Sequence, residues 1–247
     1  MSDRPTDATS ASTAHIAASI LIETQSVLFR PEDPFTLTSG RKSPVYIDCR
    51  RLIAFPRARR RLMKMAAARL EEAIGFESLD AVAGGETAGI PYAAWLADHQ
   101  MVGEPGGIGD ARGLADHLML PMAYIRKKPK GFGRNARIEG DLHEGQRVLL
   151  VEDLATDGGS KLSFVQGIRD ADAVCEHCFV VFHYGIFPES VSDLAKEGVT
   201  LHALATWWDV LATARKTGYF DEASMAEVEA FLNDPKGWSK ARGGEEG

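Results

Sequence analysis

The stretch that most constrains this chain is residues 147–161, RVLLVEDLATDGGSK. Four apolar residues, Val148, Leu149, Leu150 and Val151, run into two adjacent acids, Glu152 and Asp153, and a small glycine-containing turn follows. That order predicts a buried strand, a loop and a helix start. In an open parallel sheet ligands collect outside the carboxyl ends of the strands, so acids placed there face a bound molecule rather than the core. The loop of Thr156, Asp157, Gly158, Gly159 and Ser160 has the chemistry of an anion cradle. Its glycines let backbone amides point inward, its hydroxyls add donors, and the helix start lends the positive end of its dipole. The same residues also make an ordinary turn and helix cap, with the acids merely ending a strand in water. A nucleotide-hydrolase reading is weaker, because no G-x-x-x-x-G-K-[ST] segment precedes the acids and Gly158-Gly159-Ser160-Lys161 has a different order.

A second unit of this kind lies upstream. Residues 79–83 read as a short buried strand, Gly84-Gly85-Glu86-Thr87-Ala88-Gly89 as a glycine-rich loop and residues 90–99 as a helix. Two such units imply a ligand with two separated anionic groups, or one cofactor and one structural turn. Between them, after a short strand over residues 122–125, Arg126, Lys127, Lys128, Lys130, Arg134 and Arg137 fall in a span without an acid. Pro129, Gly131 and Gly133 oppose regular structure there, so the segment reads as a mobile cationic loop, suited to cover a polyanion or simply solvated. Residues 131–136, GFGRNA, match G-x-G-x-x-A, but no helix follows, which argues against a dinucleotide site. After the central strand, a helix over 161–168, a strand over 173–182, a helix over 189–197 and a strand over 199–205 complete the alternation of an α/β, doubly wound, mostly parallel sheet.

The remaining segments frame this core. Residues 1–14 read as a disordered leader, and residues 15–55 as a packing helix to Phe29 followed by a hairpin turning at Ser39-Gly40, with Tyr46, Asp48 and Arg50 on one face. A helix fills residues 56–75 between Pro56 and Gly75, inside a core that extends to residue 216. Residues 103–113 form a surface excursion without an assigned role. Residues 217–247 hold an amphipathic helix over 221–232 and a frayed GGEEG end. A net charge of −7 argues against generic nucleic-acid binding. No apolar run approaches the ~20 residues of a membrane span, and the polar start lacks a signal core, so a cytoplasmic protein is expected. The three cysteines give an odd count that fits a reducing compartment. Cys175 and Cys178 form a C-x-x-C around His177, but on a strand they point to opposite faces, which predicts buried or half-buried structural thiols rather than a zinc site.

The acid pair followed by a Thr-x-Gly-x-Ser-like turn resembles the phosphoribosyl-pyrophosphate (PRPP) signature of type I phosphoribosyltransferases. Residues 35–48 (FTLTSGRKSPVYID), 84–91 (GGETAGIP), 126–130 (RKKPK) and 138–142 (IEGDL) resemble orotate phosphoribosyltransferases in order and spacing, and the similarity spans roughly residues 15–210. The resemblance implies transfer of a phosphoribosyl group from PRPP to orotate, with magnesium required. It places Glu152, Asp153, Lys127 and Lys130 in catalysis. PRPP would meet Arg126, Lys127, Lys130, Glu152, Asp153, Leu154, Ala155, Thr156, Asp157, Gly158, Gly159, Ser160, Glu86 and Thr87, and orotate would meet Tyr46, Thr156 and Lys42. Magnesium would arrive on PRPP without a dedicated protein ligand, Asp153 being the acid within its reach. The family implies a homodimer whose basic loop reaches the partner's site, while the net charge and the lack of a long apolar run lead us to expect no nucleic-acid or membrane partner. The chain departs from the family pattern at Thr38, Ala88 and Phe132, each lacking a cation or proton carrier found in other members, and its acid pair is Glu-Asp instead of Asp-Asp. Two alternatives stay open: another acceptor base, and a PRPP-binding regulator without catalysis.

Overall fold

The computed structural model describes residues 8–37, 39–98, 119–130, 137–156 and 159–245. In chain order these form α1 (Ala8–Glu23), β1 (Val27–Phe29), β2 (Phe35–Thr36), β3 (Lys42–Ser43), β4 (Val45–Ile47), a 3-10 helix (Cys49–Ala54), α2 (Pro56–Ile74), β5 (Ala81–Gly85) and α3 (Gly89–Ala97). They continue as β6 (Met122–Ile125), β7 (Ile138–Glu139), β8 (Arg147–Ala155), α4 (Gly159–Arg169), β9 (Val174–His183), α5 (Glu189–Lys196), β10 (Thr200–Thr206), α6 (Trp207–Thr217), α7 (Glu222–Asn233) and α8 (Pro235–Lys240). The chain divides into two compact units, one of Met1–Ala58, Phe182–Pro188 and Leu204–Gly247, the other of Arg59–Val181 and Glu189–Ala203. No described helix is long and apolar enough to cross a membrane.

The second unit carries the sheet, in the order β10-β9-β8-β5-β6-β7. β5 runs parallel to β6 and β8, and the short β7 runs antiparallel to β6. β5 reads AVAGG and is buried throughout. Its small residues let α3 lie directly on the strand, since a Cβ on Gly84 would stand 2.8 Å from Ile90 Cα and 2.9 Å from the Gly89 carbonyl oxygen. Val148, Leu150, Phe164, Val165, Ile168 and Val180 fill the core beside it, where each buried apolar side chain contributes roughly 1.5–3 kcal/mol. α2 follows its expected span and stops at Gly75, whose positive φ of 68° lets its N–H reach back to the Leu70 and Glu71 carbonyls. Cys175 and Cys178 are fully buried free thiols in β9.

The first unit gathers both ends of the chain. α1 packs along α6, where His15 Nδ1 and Thr213 Oγ1 are 2.9 Å apart. Trp207 is fully buried among Phe29, Phe182 and Tyr184, with ring centroids 5.1–6.3 Å apart. α6 starts in a reciprocal capping box between Thr206 and Asp209.

Several local expectations change. The first helix begins at Ala8, inside the expected leader, and ends at Glu23, while Val27–Phe29 is a strand paired antiparallel with β4. The break comes from Thr24, whose hydroxyl donates back to the Ile20 carbonyl, and from Gln25 in the left-handed region at φ 54°. Arg50 leaves the strand face expected for it, because Asp48 caps the 3-10 helix and holds Arg50 Nε at 2.9 Å. The β8 strand runs on through Glu152 and Asp153 to Ala155 instead of stopping before the acids. Gly243, Gly244 and Glu245 are tied by backbone hydrogen bonds instead of frayed. The excursion at 103–113 and the residues Thr38, Phe132, Arg134, Asp157 and Gly158 lie outside the described residues.

Candidate active site

Strand order decides where a ligand can enter. The chain leaves β5 toward β6 on one side and leaves β8 toward β9 on the other, while β5 and β8 themselves are hydrogen-bonded neighbours with Gly84 opposite Val151. Connections that diverge from two adjacent parallel strands open a crevice at their carboxyl ends. The glycine-rich loop before α3, the acids ending β8 and the basic segment after β6 all belong to this edge of the second unit.

Glu152 and Asp153 are 6% and 7% exposed, an unusual burial for neighbouring carboxylates. Lys161, in the first turns of α4 and 5% exposed, places Nζ 3.3 Å from Glu152 Oε2 and donates to Ser160 Oγ at 3.0 Å. The other oxygen, Oε1, is buried with no hydrogen-bond partner among the described residues. It lies against Gly85 and Gly89, where a Cβ on either glycine would collide with it. The glycine loop and the acid are thus fitted to one another: a side chain at either position would occupy the carboxylate's place. Burial raises the Glu152 carboxyl from 4.5 to about 7, against the pull of Lys161. The Asp153 charge pushes the same way as burial, and Lys127 opposes it more weakly. Asp153 Oδ1 accepts the N–H of Leu154 at 2.9 Å. Leu154 and Thr156 are half-buried, Ala155 is buried, and Gly159 and Ser160 open α4.

The glycine loop is tied to the basic segment. Glu86 donates its N–H to the Ile125 carbonyl at 2.9 Å and accepts the Lys127 N–H on Oε2 at 2.8 Å. Thr87 sits between Glu86 and Ala88, and Ala88 precedes the first turn of α3. Two of the expected pyrophosphate cations rest on an acid that sequence reading did not single out: Glu139 Oε1 takes Arg126 Nη1 at 3.2 Å and Lys130 Nζ at 2.5 Å. Those two cations, Lys130 first, hold the Glu139 carboxyl below its usual range. Lys127 is exposed. Arg137, counted with the basic cluster, is a brace, donating through Nε to the Arg126 carbonyl at 3.1 Å and through Nη2 to Ser163 Oγ at 3.0 Å.

Lys161 is the other residue missed from sequence, since nothing in its spacing marks it as the partner of Glu152. Lys42 and Tyr46 belong to the first unit. Lys42 Nζ donates to Thr36 Oγ1 at 2.8 Å, and the half-buried Tyr46 ring lies 5.4 Å from that of Phe35.

A mostly parallel sheet with a glycine loop and an acid-pair loop side by side at its switch point is the architecture of the type I phosphoribosyltransferases. No protein-family model matches the chain. It is 56% identical over 229 residues to the orotate phosphoribosyltransferase of Cereibacter sphaeroides, covering 93% of this chain and 91% of that one. The crystal structure of orotate phosphoribosyltransferase from Aeropyrum pernix is 30% identical with a TM-score of 0.59, over 83% of this chain and 99% of that one. The structure of Leishmania donovani UMP synthase is 26% identical with a TM-score of 0.69, over 89% of this chain, which spans 42% of that longer protein. The chain belongs to the orotate phosphoribosyltransferase family.

Proposed function

We propose that the chain transfers the phosphoribosyl group of PRPP to orotate, giving orotidine 5′-monophosphate and pyrophosphate in pyrimidine biosynthesis. The observation that carries the assignment to these residues is the buried acid pair, Glu152 and Asp153, with one Glu152 oxygen unpartnered among the described residues and set against Gly85 at the end of β5 and Gly89 at the start of α3.

The chemistry follows from charge. As the anomeric bond stretches, positive charge grows on the sugar and negative charge on the departing pyrophosphate. Glu152 and Asp153 accept the ribose hydroxyls and favour the cationic sugar. Backbone amides of the loop from Thr156 through Asp157, Gly158 and Gly159 to Ser160 take the 5′-phosphate, with Leu154 and Ala155 leading the chain into it from β8. Glu86 and Thr87 shape the loop that takes the pyrophosphate, and Arg126, Lys127 and Lys130 match its charge, with Glu139 holding two of them in place before substrate arrives. The resemblance of their segments to the family assigns Tyr46, Lys42 and Thr156 to orotate. The donor set at the acid pair fits magnesium, a hard cation that takes carboxylate oxygens and keeps substrate oxygens and water. Asp153 is the side chain that would meet it, and the ion would neutralise pyrophosphate charge. The enzyme acts in the cytoplasm as a homodimer in which each basic loop serves the partner's site.

The test is orotate consumption by the purified protein with PRPP and magnesium. The expected result is one pyrophosphate released per orotate consumed. Saturable PRPP binding without turnover of orotate would overturn the reading.

A further inference from the structure

The β2–β3 hairpin carries Lys42 on two strands of two residues each, paired at Phe35–Ser43 and Thr36–Lys42, with Leu37 donating its N–H to the Arg41 carbonyl beyond them. So short a ribbon does not hold its geometry alone in water. Its outside support includes the opposite end of the chain. Lys42 donates its backbone N–H to Ser239 Oγ at 3.0 Å, across 197 positions of sequence. Ser239, fully buried near the end of α8, donates a hydrogen bond from its hydroxyl to the Glu245 carbonyl at 2.9 Å, and Glu245 donates its N–H to the Gly40 carbonyl in the hairpin turn at 3.1 Å.

Packing is equally close. A Cβ on Gly244 would stand 2.7 Å from Lys42 N and Cγ, and a Cβ on Gly40 would stand 2.6 Å from the Glu245 carboxyl carbon. The clamp has its own footing on α7. Asp234 caps α8 through the Gly237 N–H at 2.9 Å, and Glu227 takes both the Trp238 Nε1–H at 3.1 Å and the Arg242 guanidinium at 2.5 Å. That guanidinium stacks 3.8 Å over the Trp238 ring.

We propose that α8 and the tail through Glu245 form a positioning clamp for the base-binding hairpin, with the Ser239 hydroxyl as its keystone, so that the C-terminus sets affinity for the acceptor base. The inference rests on the assignment of Lys42 and Tyr46 to orotate. Loss of the clamp leaves the anion loops of the other unit intact, so its signature is a change in the KM for orotate without a matching change in the KM for PRPP.

Two variants test it in the full enzyme: Ser239→Ala, and a chain shortened by residues 243–247 that keeps α8. Amide exchange at Lys42 is the direct readout, and loss of one side-chain hydrogen bond accelerates it by about tenfold in Ser239→Ala. The KM for orotate rises several-fold in both variants while that for PRPP stays within about twofold. Unchanged Lys42 exchange, or an equal rise in both KM values, overturns the clamp. Failure of the wild type to use orotate would instead defeat the functional assignment, and the Lys42 exchange rate would still decide whether the clamp exists.

Discussion

Replacing Glu152 by Gln isolates the cost of burying this acid. The side chain is 6% exposed and its carboxyl is raised from 4.5 to about 7 by burial, with Lys161 opposing, Asp153 adding and Lys127 opposing. A carboxyl that holds its proton more tightly folded than unfolded contributes stability below its unfolded value. That contribution is lost as pH climbs through the folded value. Between pH 4.5 and about 7 the loss amounts to about 3 kcal/mol. Glutamine imitates the protonated acid, so Glu152→Gln and the wild type should be nearly equal in stability near pH 4.5. By pH 8 the variant should be more stable by about 3 kcal/mol. Groups unaffected by the substitution cancel in the difference. Urea unfolding of both proteins at matched protomer concentration across pH 4.5–8 reads it directly. A difference that stays constant over the window would refute the claim that a buried, ligand-seeking carboxylate is stored at this position.

Three further outcomes are expected. Gly89→Ala, whose Cβ would strike Glu152 Oε1 and the Val151 carbonyl, should cost about 1–3 kcal/mol by urea melting and weaken PRPP binding measured by calorimetry. Thr206→Ala, which removes one half of the α6 capping box, should cost about 1 kcal/mol in the same unfolding assay and leave the KM for PRPP unchanged. Cys49, Cys175 and Cys178 are all buried, and burial pushes the Cys175 thiol up to about 11. A thiol reagent at pH 8 should therefore label none of them in the native protein and all three after denaturation.

The parts of this molecule legible in its sequence are those fixed by near neighbours. The apolar run into Glu152 and Asp153, the strand-to-helix turn around residues 84–89, and α2 between Pro56 and Gly75 each carry their own period and punctuation; α2 keeps its expected span, while β5 takes in Gly84 and Gly85, α3 opens at Gly89 and β8 runs past its acids. The strand reading of the C-x-x-C segment holds for the same reason, because β-branched and aromatic residues surround both thiols. The end of α1 was hidden because no glycine or proline marks it; a threonine hydroxyl and a left-handed glutamine make the turn. Partners brought together by folding were hidden for a different reason. Lys161 meets Glu152, Glu139 gathers Arg126 and Lys130, and Ser239 meets Lys42 through contacts that no periodicity encodes. These are the contacts that turn a recognisable loop into a positioned site.

The most direct test of the central claim is calorimetric titration of the magnesium complex of PRPP into the wild type and into a Glu152→Gln, Asp153→Asn double variant. If these acids grip the sugar, removing two charge-assisted hydrogen bonds should weaken binding by about a hundredfold or more. Equal affinity in the two proteins would contradict the placement of PRPP at the end of β8.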